Sequence, residues 1–370
     1  MKSMRVFVML PRALDAMLWH ERFDQGAVPD KTPYGYHFAE EMGAKITFSQ
    51  PTATPGGILG FVDKAVKRLL GFDIRHAWNN RESLLGTRFD VVWTHTEYEH
   101  LAIAALRAIF RGTAAPVIAQ SVWLIDEWDR FLSVKRQFYR FLLRHVAVAT
   151  FHSPENRTIA DSRRIVSPTE LVLFGISLDS FPLRIPRLKF DSPRLIRVLA
   201  LGGDRHRDWK TLFDALGGEP GIELRVGSSS WPHSLKADNI QASLMSHEQV
   251  RAAYDWADCL VVSLKDNLHA SGITAILEAV ASGIPVVATL TGGLQAYFDD
   301  DAIAYVAGAN PVLLLEAIQA MAKNPSAALD RAVVAQEQLV TRELTTRGFA
   351  LRHVRLSERL IKQSDRVFAA

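Results

Sequence analysis

The sequence predicts an α/β protein built from two parallel, doubly wound sheets, one in each half of the chain. Three observations predict it: short apolar runs alternate with longer helical patterns, these runs are apolar on both faces, and 370 residues exceed one ordinary core. Strands of this kind are expected where helices cover both sides of a sheet. Ligands of such sheets bind beyond the carboxyl ends of the strands, so the cleft between two facing domains is the expected site.

The strand pattern occurs in both halves of the chain. In the first half, strands are predicted at Arg5–Leu10, Ala44–Ser49, Phe89–Thr94, Pro116–Ser121, Val146–His152 and Glu170–Phe174. In the second half, they are predicted at Ile196–Gly202, Glu223–Gly227, Cys259–Ser263, Pro285–Ala288 and Ala302–Tyr305.

A segment with three prolines and no helical periodicity, SFPLRIPRLKFDSP, separates the halves. The sequence therefore predicts an N-terminal domain over residues 1–180, a linker over 181–193 and a C-terminal domain over 194–346. The remaining residues, 347–370, are predicted to form an amphipathic helix that could pack back on the N-terminal domain.

The composition is that of an ordinary globular protein, with 48% hydrophobic and 22% charged residues. A net charge of +3 is too small to indicate a nucleic-acid partner. The single cysteine, Cys259, excludes an intramolecular disulfide and a cysteine-based zinc site, and its apolar neighbours predict a buried, inert thiol. Because no run of about 18 uninterrupted apolar residues occurs and the N-terminus resembles a first strand, we expect a cytoplasmic protein that does not span a bilayer.

The segment SGITAILEAVASG follows a predicted strand and a polar loop, and it predicts a helix ended by its last glycine. Ser271 and Gly272 would lie at the helix N-terminus, where unpaired N–H groups and the helix dipole favour an anion such as a diphosphate. The hydroxyl of Thr274 would add a donor. Glu278, one turn further on the same face, could accept both hydroxyls of a ribose. A capping serine and a solvated glutamate are the alternative interpretation.

The stretch from Asn239 to Leu294 resembles the donor domain of retaining glycosyltransferases of family four. The matching segments come in order: a strand before the nucleotide-base loop, SHEQVRAAYDWADCLVVS, the phosphate loop, LEAVASGIPVVAT, and a glycine pair followed by leucine. The resemblance implies the GT-B architecture of two facing Rossmann-like domains. It also implies transfer from a nucleotide diphosphate sugar with no metal or other cofactor.

The chain departs from the family pattern at one position. The family has two glutamates eight positions apart, and while the second maps onto Glu278, the first falls on Ala270. The first glutamate usually touches the transferred sugar, so that role is not carried over. Asp266, Asn267 or His269 could supply the missing hydrogen bonds, and the donor sugar stays open.

A second donor-side element, GGDRHRDWK, follows the predicted strand that ends at residue 202. Gly202 and Gly203 would let a ligand approach the backbone. Arg207 falls where the family carries a phosphate-binding lysine, and Arg205 could take the place of its partner arginine. Arginine forks suit phosphate oxygens, whereas a solvated basic turn is the alternative, which we favour for Lys210.

The first half contains candidate residues for the acceptor. Gly35 lies in a loop that borders the phosphates and the acceptor in family relatives, with a helix predicted from about residue 36; a plain turn glycine is the alternative. His95 and Glu97 follow the strand that ends at residue 94. No histidine matches the family's catalytic one, so Asp126 or Glu127, set among aromatic residues after the next strand, is the predicted substitute that receives the acceptor proton.

Residues 55–72, PGGILGFVDKAVKRLLGF, form an apolar helical face flanked by lysines and arginine. Such a helix can lie on an anionic membrane surface, and an ordinary helix that covers the sheet is the alternative. Contact with the inner face of the cytoplasmic membrane would give access to lipid-linked acceptors.

These features together predict a retaining glycosyltransferase of bacterial surface polysaccharide or glycolipid synthesis. It would move a sugar from a nucleotide diphosphate sugar to a glycan or lipid-linked acceptor, with Arg207 and Glu278 as central residues. A sugar-nucleotide 2-epimerase of the same fold and a non-catalytic nucleotide-binding homologue stay as alternatives. A dinucleotide dehydrogenase is disfavoured because no GxGxxG follows the first strand.

Overall fold

The computed structural model describes residues 3–110, 115–186 and 195–369, with side chains up to residue 363. The chain forms two compact units. Unit 1 contains the described residues of 3–21, 31–172 and 350–369, and unit 2 contains those of 22–30 and 173–349. Each unit holds a six-stranded sheet, which confirms the predicted α/β class with two Rossmann-like domains. Residues 187–193 of the expected linker lie outside the described residues.

Unit 1 is an open sheet with helices between its strands. Its strands are β1 (Met4–Met9), β2 (Ala44–Phe48), β3 (Val91–Thr94), β4 (Val117–Ser121), β5 (Val148–Phe151) and β6 (Thr169–Leu171). Its helices are α1 (Ala16–Asp24), whose last residues belong to unit 2, α2 (Phe38–Glu41), α3 (Gly57–Leu70), α4 (Ile74–Asn79), α5 (Arg81–Leu85), α6 (Glu97–Ile109), α7 (Ser133–Leu143) and α8 (Pro154–Ser162).

Unit 2 repeats this plan. Its strands are β7 (Ile196–Leu201), β8 (Ile222–Gly227), β9 (Ile240–Ser243), β10 (Cys259–Val262), β11 (Val286–Thr289) and β12 (Ala304–Val306). Its helices are α9 (Trp209–Leu216), α10 (His247–Trp256), α11 (Ile273–Ala281), α12 (Pro311–Lys323) and α13 (Pro325–Thr341). The last helix, α14 (Thr346–Ala369), begins in unit 2 and contributes its residues from 350 onward to unit 1.

All strand pairs in both sheets are parallel. The strand order is β2-β1-β3-β4-β5-β6 in unit 1 and β12-β11-β10-β7-β8-β9 in unit 2. In unit 2 the direction of winding therefore reverses between β7 and β10. In unit 1 it reverses between β1 and β3. These are the topological switch points where open α/β sheets bind ligands.

The core of unit 2 lies on both faces of its sheet, as the apolar strands predict. Alternate residues of β7 enter different clusters: Val198 contributes to one, and Leu199 to the other. Helix α11 covers the second face with Ile276 and Leu277, which are fully buried. The lone thiol of Cys259 is buried in the first cluster, where burial raises its pKa to about 12. The prediction of an inert thiol agrees with this environment.

All eleven predicted strands are present, with ends that differ by at most a few residues. The strand expected from Pro285 begins at Val286, since proline has no N–H to pair. The helix expected near Tyr36 begins two residues later, at Phe38: a short 3-10 turn over Pro33–Gly35 precedes it, and α2 is a single helical turn. Left-handed backbone at Tyr34 and Gly35, with φ of 59° and 69°, interrupts the helical path there.

In the part of the chain that the structure describes, no helix is long and apolar enough to cross a membrane.

Candidate functional site

The switch point of unit 2 brings together two loops that are far apart in sequence. Residues 202–208 follow β7, and residues 263–272 follow β10, which pairs with β7. Backbone hydrogen bonds join the loops: Asp208 N donates to Ser263 O at 2.9 Å, and Lys265 N donates to His206 O at 2.8 Å. The two predicted donor-side elements are therefore parts of a single site.

Arg207 lies at the centre of this site, with a side chain that is held between two glycines. It is only 6% exposed. A β-carbon at Gly202 would stand 2.3 Å from its Nε and Nη2, and a β-carbon at Gly272 would stand 2.5 Å from its Nη1. No real β-carbon contact is that short, so glycine at both positions is what allows the guanidinium to occupy this place.

The Arg207 guanidinium is a buried cation whose nearby charge is the carboxylate of Asp204 and whose hydrogen-bonding capacity is only partly used by the described residues. Its Nε and Nη1 have no hydrogen-bond partner among the described residues. Burial lowers the pKa of Arg207 to about 10, so the group stays charged at neutral pH. A buried charge of this kind is costly unless it is paired. Its natural partner is an anion with several acceptor oxygens, such as a phosphate.

The N-terminus of α11 lies beside Arg207, because Gly272 contacts the guanidinium and is also the residue before the helix. Gly272 has a φ of 86°, and among the described side chains none caps this terminus. The amide of Ser271 donates to Asn267 Oδ1 at 3.1 Å, which fixes the loop. The first N–H groups of the helix and its dipole therefore add to the cation in favouring an anion.

Asp204 connects the two loops, although no local sequence pattern marks it as part of the site. Its Oδ2 lies 3.0 Å from His269 Nε2 and accepts a hydrogen bond from Ser271 Oγ at 3.0 Å. Its Oδ1 accepts from the His206 amide at 2.8 Å and lies 3.1 Å from His206 Nδ1. Burial alone would raise the pKa of Asp204, but these hydrogen bonds outweigh burial and the pKa is lowered. The carboxylate therefore holds Ser271, whose hydroxyl was expected to face the phosphate.

Glu278 is half-buried on α11, and Tyr254 on α10 orients it. The Tyr254 hydroxyl lies 2.9 Å from Glu278 Oε2 and 3.0 Å from Ala275 O. Burial raises the pKa of Glu278 to about 7. A half-buried carboxylate with one oxygen anchored by a phenol is suited to accept hydroxyl groups. Tyr254 was missed in the sequence because nothing local marks a tyrosine on another helix as its partner.

Ala270 occupies the position of the missing family glutamate in a constrained conformation. It is 1% exposed, with a left-handed φ of 55°, and its amide donates to Gly292 O at 2.9 Å. Of the three residues expected to compensate, Asn267 uses its Oδ1 within the loop and Asp266 is exposed. His269 is buried against Asp204. Of the three residues, His269 is the one that contacts Asp204 in the loop after β7.

The remaining predicted donor residues lie at the surface of the same loops. Gly203, Arg205 and Thr274 are exposed. Arg205 and Arg207 line a pocket of about 400 Å³ together with Asp204, Asp208, Trp209, Lys210, Ser230, Pro232, Ser234, Leu235 and Lys265. This pocket is rich in cations. Lys210 forms a surface ion pair with Asp214 on its own helix, as a solvated residue would.

In unit 1, the predicted residue His95 lies at the switch-point end of β3 beneath Tyr34. The two rings are stacked with centroids 3.3 Å apart. His95 is buried, and its Nδ1 has no partner among the described residues. The pKa of His95 lies well below the ordinary value. Burial is the largest cause, and the nearby His152 and His353 lower the pKa further. The imidazole is therefore neutral, and Gly35 sits in the turn that carries Tyr34.

The other predicted acceptor-side residues take structural contacts. The Glu97 carboxylate is buried and accepts from the amides of Val122 and Trp123 at 3.1 and 3.3 Å, which anchors the loop after β4. In that loop Asp126 and Glu127 are half-buried. Glu127 forms an ion pair with Arg130 at 3.1 Å. Glu97 therefore anchors the loop that carries Asp126 and Glu127.

Comparisons with known proteins concern the family and the fold. Residues 222–324 match the family model described as glycosyl transferases group 1. No curated protein sequence matches the chain. The fold is similar to that of sucrose-phosphate synthase from Thermosynechococcus elongatus, with a TM-score of 0.70 and 17% identity over 97% of this chain and 100% of that one.

Two further structures share the fold at 12% identity. HepE from Anabaena in complex with UDP and glucose has a TM-score of 0.63 over 96% of this chain and 100% of that one. The UDP-forming α,α-trehalose-phosphate synthase from Burkholderia vietnamiensis has a TM-score of 0.61 over 96% and 99%. The chain thus has the GT-B fold, and residues 222–324 match a model of group 1 glycosyltransferases. Together they support a nucleotide-sugar glycosyltransferase.

Proposed function

We propose that this chain is a retaining glycosyltransferase that moves a sugar from a nucleotide diphosphate sugar to a glycan or lipid-linked acceptor. The observation that carries the proposal is Arg207: a buried guanidinium whose Nε and Nη1 have no hydrogen-bond partner among the described residues, beside an N-terminus of α11 that no described side chain caps. A cation and a helix N-terminus at a topological switch point form a site for a diphosphate. The group 1 match supports the sugar as the transferred group.

In this proposal, different residues of unit 2 bind different parts of the donor. The diphosphate binds Arg207 and the first N–H groups of α11, and Gly202 and Gly272 leave room for the guanidinium. Glu278, anchored by Tyr254, accepts the ribose hydroxyls. A protein of similar fold, HepE from Anabaena, has been solved in complex with UDP-glucose, which supports a ligand of this class.

The transfer itself forms one bond and breaks one. The acceptor oxygen bonds to the anomeric carbon on the face from which the diphosphate leaves, and the bond from that carbon to the phosphate oxygen breaks. The acceptor proton passes to the departing diphosphate. Arg207 and the α11 dipole stabilise the negative charge that develops there, so the step as proposed requires no metal ion.

Helix α3 supports a membrane-associated acceptor. Its single acidic residue, Asp63, turns inward to an ion pair with Arg12 at 2.6 Å. The exposed side of the helix therefore carries Lys64 and Arg68 without an acidic neighbour on α3. Ile58 and Phe61 are 84% and 75% exposed on the same helix. Such a surface suits insertion into the headgroup region of an anionic bilayer.

Helix α7 extends this surface. It is joined to the end of α3 by the hydroxyl of Tyr139, which donates to Leu70 O at 2.7 Å. Its sequence, SVKRQFYRFLL, contains no acidic residue. Val134 is 79% exposed, and Leu132 just before the helix is exposed as well. We therefore place the enzyme at the cytoplasmic face of the membrane, in the synthesis of a bacterial surface polysaccharide or glycolipid.

The alternatives are a sugar-nucleotide 2-epimerase and a non-catalytic nucleotide-binding homologue. The reaction product distinguishes these functions from transfer, because transfer releases a nucleoside diphosphate and a new glycoside. Epimerisation returns an isomerised sugar nucleotide, and a binding protein returns the ligand unchanged.

The test is a panel of uridine and guanosine diphosphate sugars, scored first by the rise in melting temperature and then by release of nucleoside diphosphate with an added acceptor. A ligand that binds only the native chain raises its melting temperature. Arg207→Ala and Glu278→Ala should lose turnover, whereas Lys236→Ala, an exposed lysine of unit 2, should retain it. Unchanged turnover in both site variants would exclude this assignment.

A further inference from the structure

The cluster of Asp204, His206 and His269 is not used by the proposed transfer step. One ligand-type atom from each of the three side chains lies within 4.8 Å of the others. His206 follows Asp204 by two residues in the loop after β7, and His269 comes from the loop after β10. Imidazole nitrogen and carboxylate oxygen are the donors that transition-metal ions such as Zn²⁺ and Mn²⁺ take from proteins.

We propose that these three side chains bind a divalent transition-metal cation and that its binding is coupled to that of the nucleotide diphosphate. The distances between the ligand atoms suit a metal. Asp204 Oδ1 lies 3.1 Å from His206 Nδ1, and Asp204 Oδ2 lies 3.0 Å from His269 Nε2. Neighbouring ligands around a metal at about 2.0–2.2 Å stand about 3.0–3.5 Å apart, so each imidazole has this spacing from one oxygen of Asp204. The set of one ligand atom per residue lies within 4.8 Å, and it would contract around a single ion.

The ligand atoms also converge. The ring nitrogens of His206 and His269 both point to the same carboxylate from different loops, and the rings meet edge to face with centroids 4.8 Å apart. One cation bound by the carboxylate of Asp204 and by both imidazoles would replace the hydrogen bonds that now join each ring to its own carboxylate oxygen. The oxygen of Ser271, 3.0 Å from Asp204 Oδ2, adds a neutral donor beside it.

The positive charges around the cluster explain why binding of the metal and binding of the nucleotide would be coupled. Arg205, Arg207 and Lys265 line the same pocket as Asp204. A dication alone is disfavoured among these cations, whereas a diphosphate would neutralise them and offer further oxygens. The metal should therefore bind weakly to the free chain and more tightly with nucleotide present. By linkage, the metal must raise the affinity for nucleotide by the same factor.

The coupling rests on the proposed function, since it requires that a nucleoside diphosphate bind near Arg207. The family resemblance implied no metal, and the absence of an Asp-x-Asp pair after a strand supported that expectation. That pattern detects only ligands that are close together in sequence. Here the third ligand is 63 residues beyond the second, and only the pairing of β7 with β10 brings it near.

The experiment uses the full-length chain after chelator treatment and dialysis. Co²⁺, Mn²⁺ and Zn²⁺ are titrated by calorimetry, each with and without UDP or GDP, and the visible absorption of Co²⁺ reports nitrogen ligation. We expect one cation per chain and an affinity that increases about tenfold or more with the nucleotide. Asp204→Asn and His269→Gln should each lower cation affinity by about tenfold or more, and His233→Gln, an exposed histidine of unit 2, should not.

The outcomes separate this proposal from the proposed function. Equal cation affinity in the wild type and in both ligand variants, or no cation binding with or without nucleotide, overturns the metal site. The cluster is then a hydrogen-bond network only. Cation binding in the expected pattern without binding of any nucleotide supports the metal site and overturns the coupling and the proposed function. Circular dichroism checks folding, and His206→Gln replaces either variant that does not fold.

Discussion

The guanidinium of Arg207 lies against the α-carbon of Gly202, where a β-carbon would come within 2.3 Å of both Nε and Nη2. This contact makes a glycine at the end of β7 a requirement for the position of a cation five residues later. Gly202 also has a φ of 129°, which side chains other than glycine rarely allow. Both the contact and the backbone conformation therefore select glycine here.

Gly202→Ala is expected to displace the Arg207 side chain and to lower nucleoside diphosphate affinity by about tenfold or more, which corresponds to about 1.4 kcal/mol. Gly203→Ala should cost less, because its β-carbon would meet only Ser229 Oγ, at 3.2 Å. Calorimetric titration with UDP and GDP measures both. Equal losses at the two positions would contradict the specific role of Gly202.

Arg207→Met should separate stability from binding. The free chain bears the cost of a buried cation whose Nε and Nη1 have no partner among the described residues, so its replacement by an apolar side chain should leave the melting temperature unchanged or raised. Nucleotide affinity should fall by about 10- to 100-fold, since hydrogen bonds to charged groups contribute about 1.5–3 kcal/mol. A large loss of stability with normal nucleotide binding would show that Arg207 is structural.

Glu278 predicts a pH dependence with a definite sign. Burial raises its pKa from the ordinary 4.5 to about 7, so the charged form is disfavoured in the folded chain. Its contribution to the free energy of unfolding should decline as the pH rises from about 4.5 through 7. Donor affinity should increase over the upper part of this range, because the carboxylate is the better acceptor for ribose hydroxyls. Glu278→Gln should remove both dependences, measured by urea unfolding and by titration.

Ala270→Glu, which restores the family residue, should destabilise the chain instead of improving catalysis. The position is 1% exposed, with a left-handed φ of 55°, so a longer charged side chain would be both strained and buried. We expect a loss of about 2 kcal/mol or more in the free energy of unfolding. Ala270→Gly should change it by less than about 1 kcal/mol, since glycine relieves the strain but gains freedom in the unfolded chain.

Membrane binding should depend on the apolar side of α3. Ile58→Ser with Phe61→Ser should lower the partitioning into vesicles that contain anionic lipid by about tenfold or more, because each large side chain contributes about 1.5–3 kcal/mol when fully buried. Val312→Ser, at a 63% exposed position of unit 2, is the matched control. Sedimentation with vesicles measures the binding. Wild-type partitioning that does not weaken as salt increases would contradict the role given to Lys64 and Arg68.

Local sequence was sufficient for the elements of the fold and for part of the candidate site. Alternation of apolar runs predicted the strands, because a parallel sheet covered on both faces needs strands that are apolar throughout. The glycine and serine before α11 predicted an anion-binding terminus from helix geometry alone. Gly202 and Ser271 were proposed because each lies beside a strand or helix end that its own neighbours in sequence define, whereas Arg207 and Glu278 were proposed chiefly from the family resemblance.

The partners of these residues could not be found in this way. Asp204 acts on Ser271, 67 residues later, and Tyr254 orients Glu278 from another helix. The stacking of Tyr34 on His95 depends on a left-handed backbone at a residue that sequence alone does not mark. The sequence by itself determined the two-sheet class, the strands and the helix terminus, because these follow from local periodicity and end chemistry. Only the tertiary structure decided that Arg207 is a buried cation against Gly202, because that contact depends on how the loops after β7 and β10 fold together.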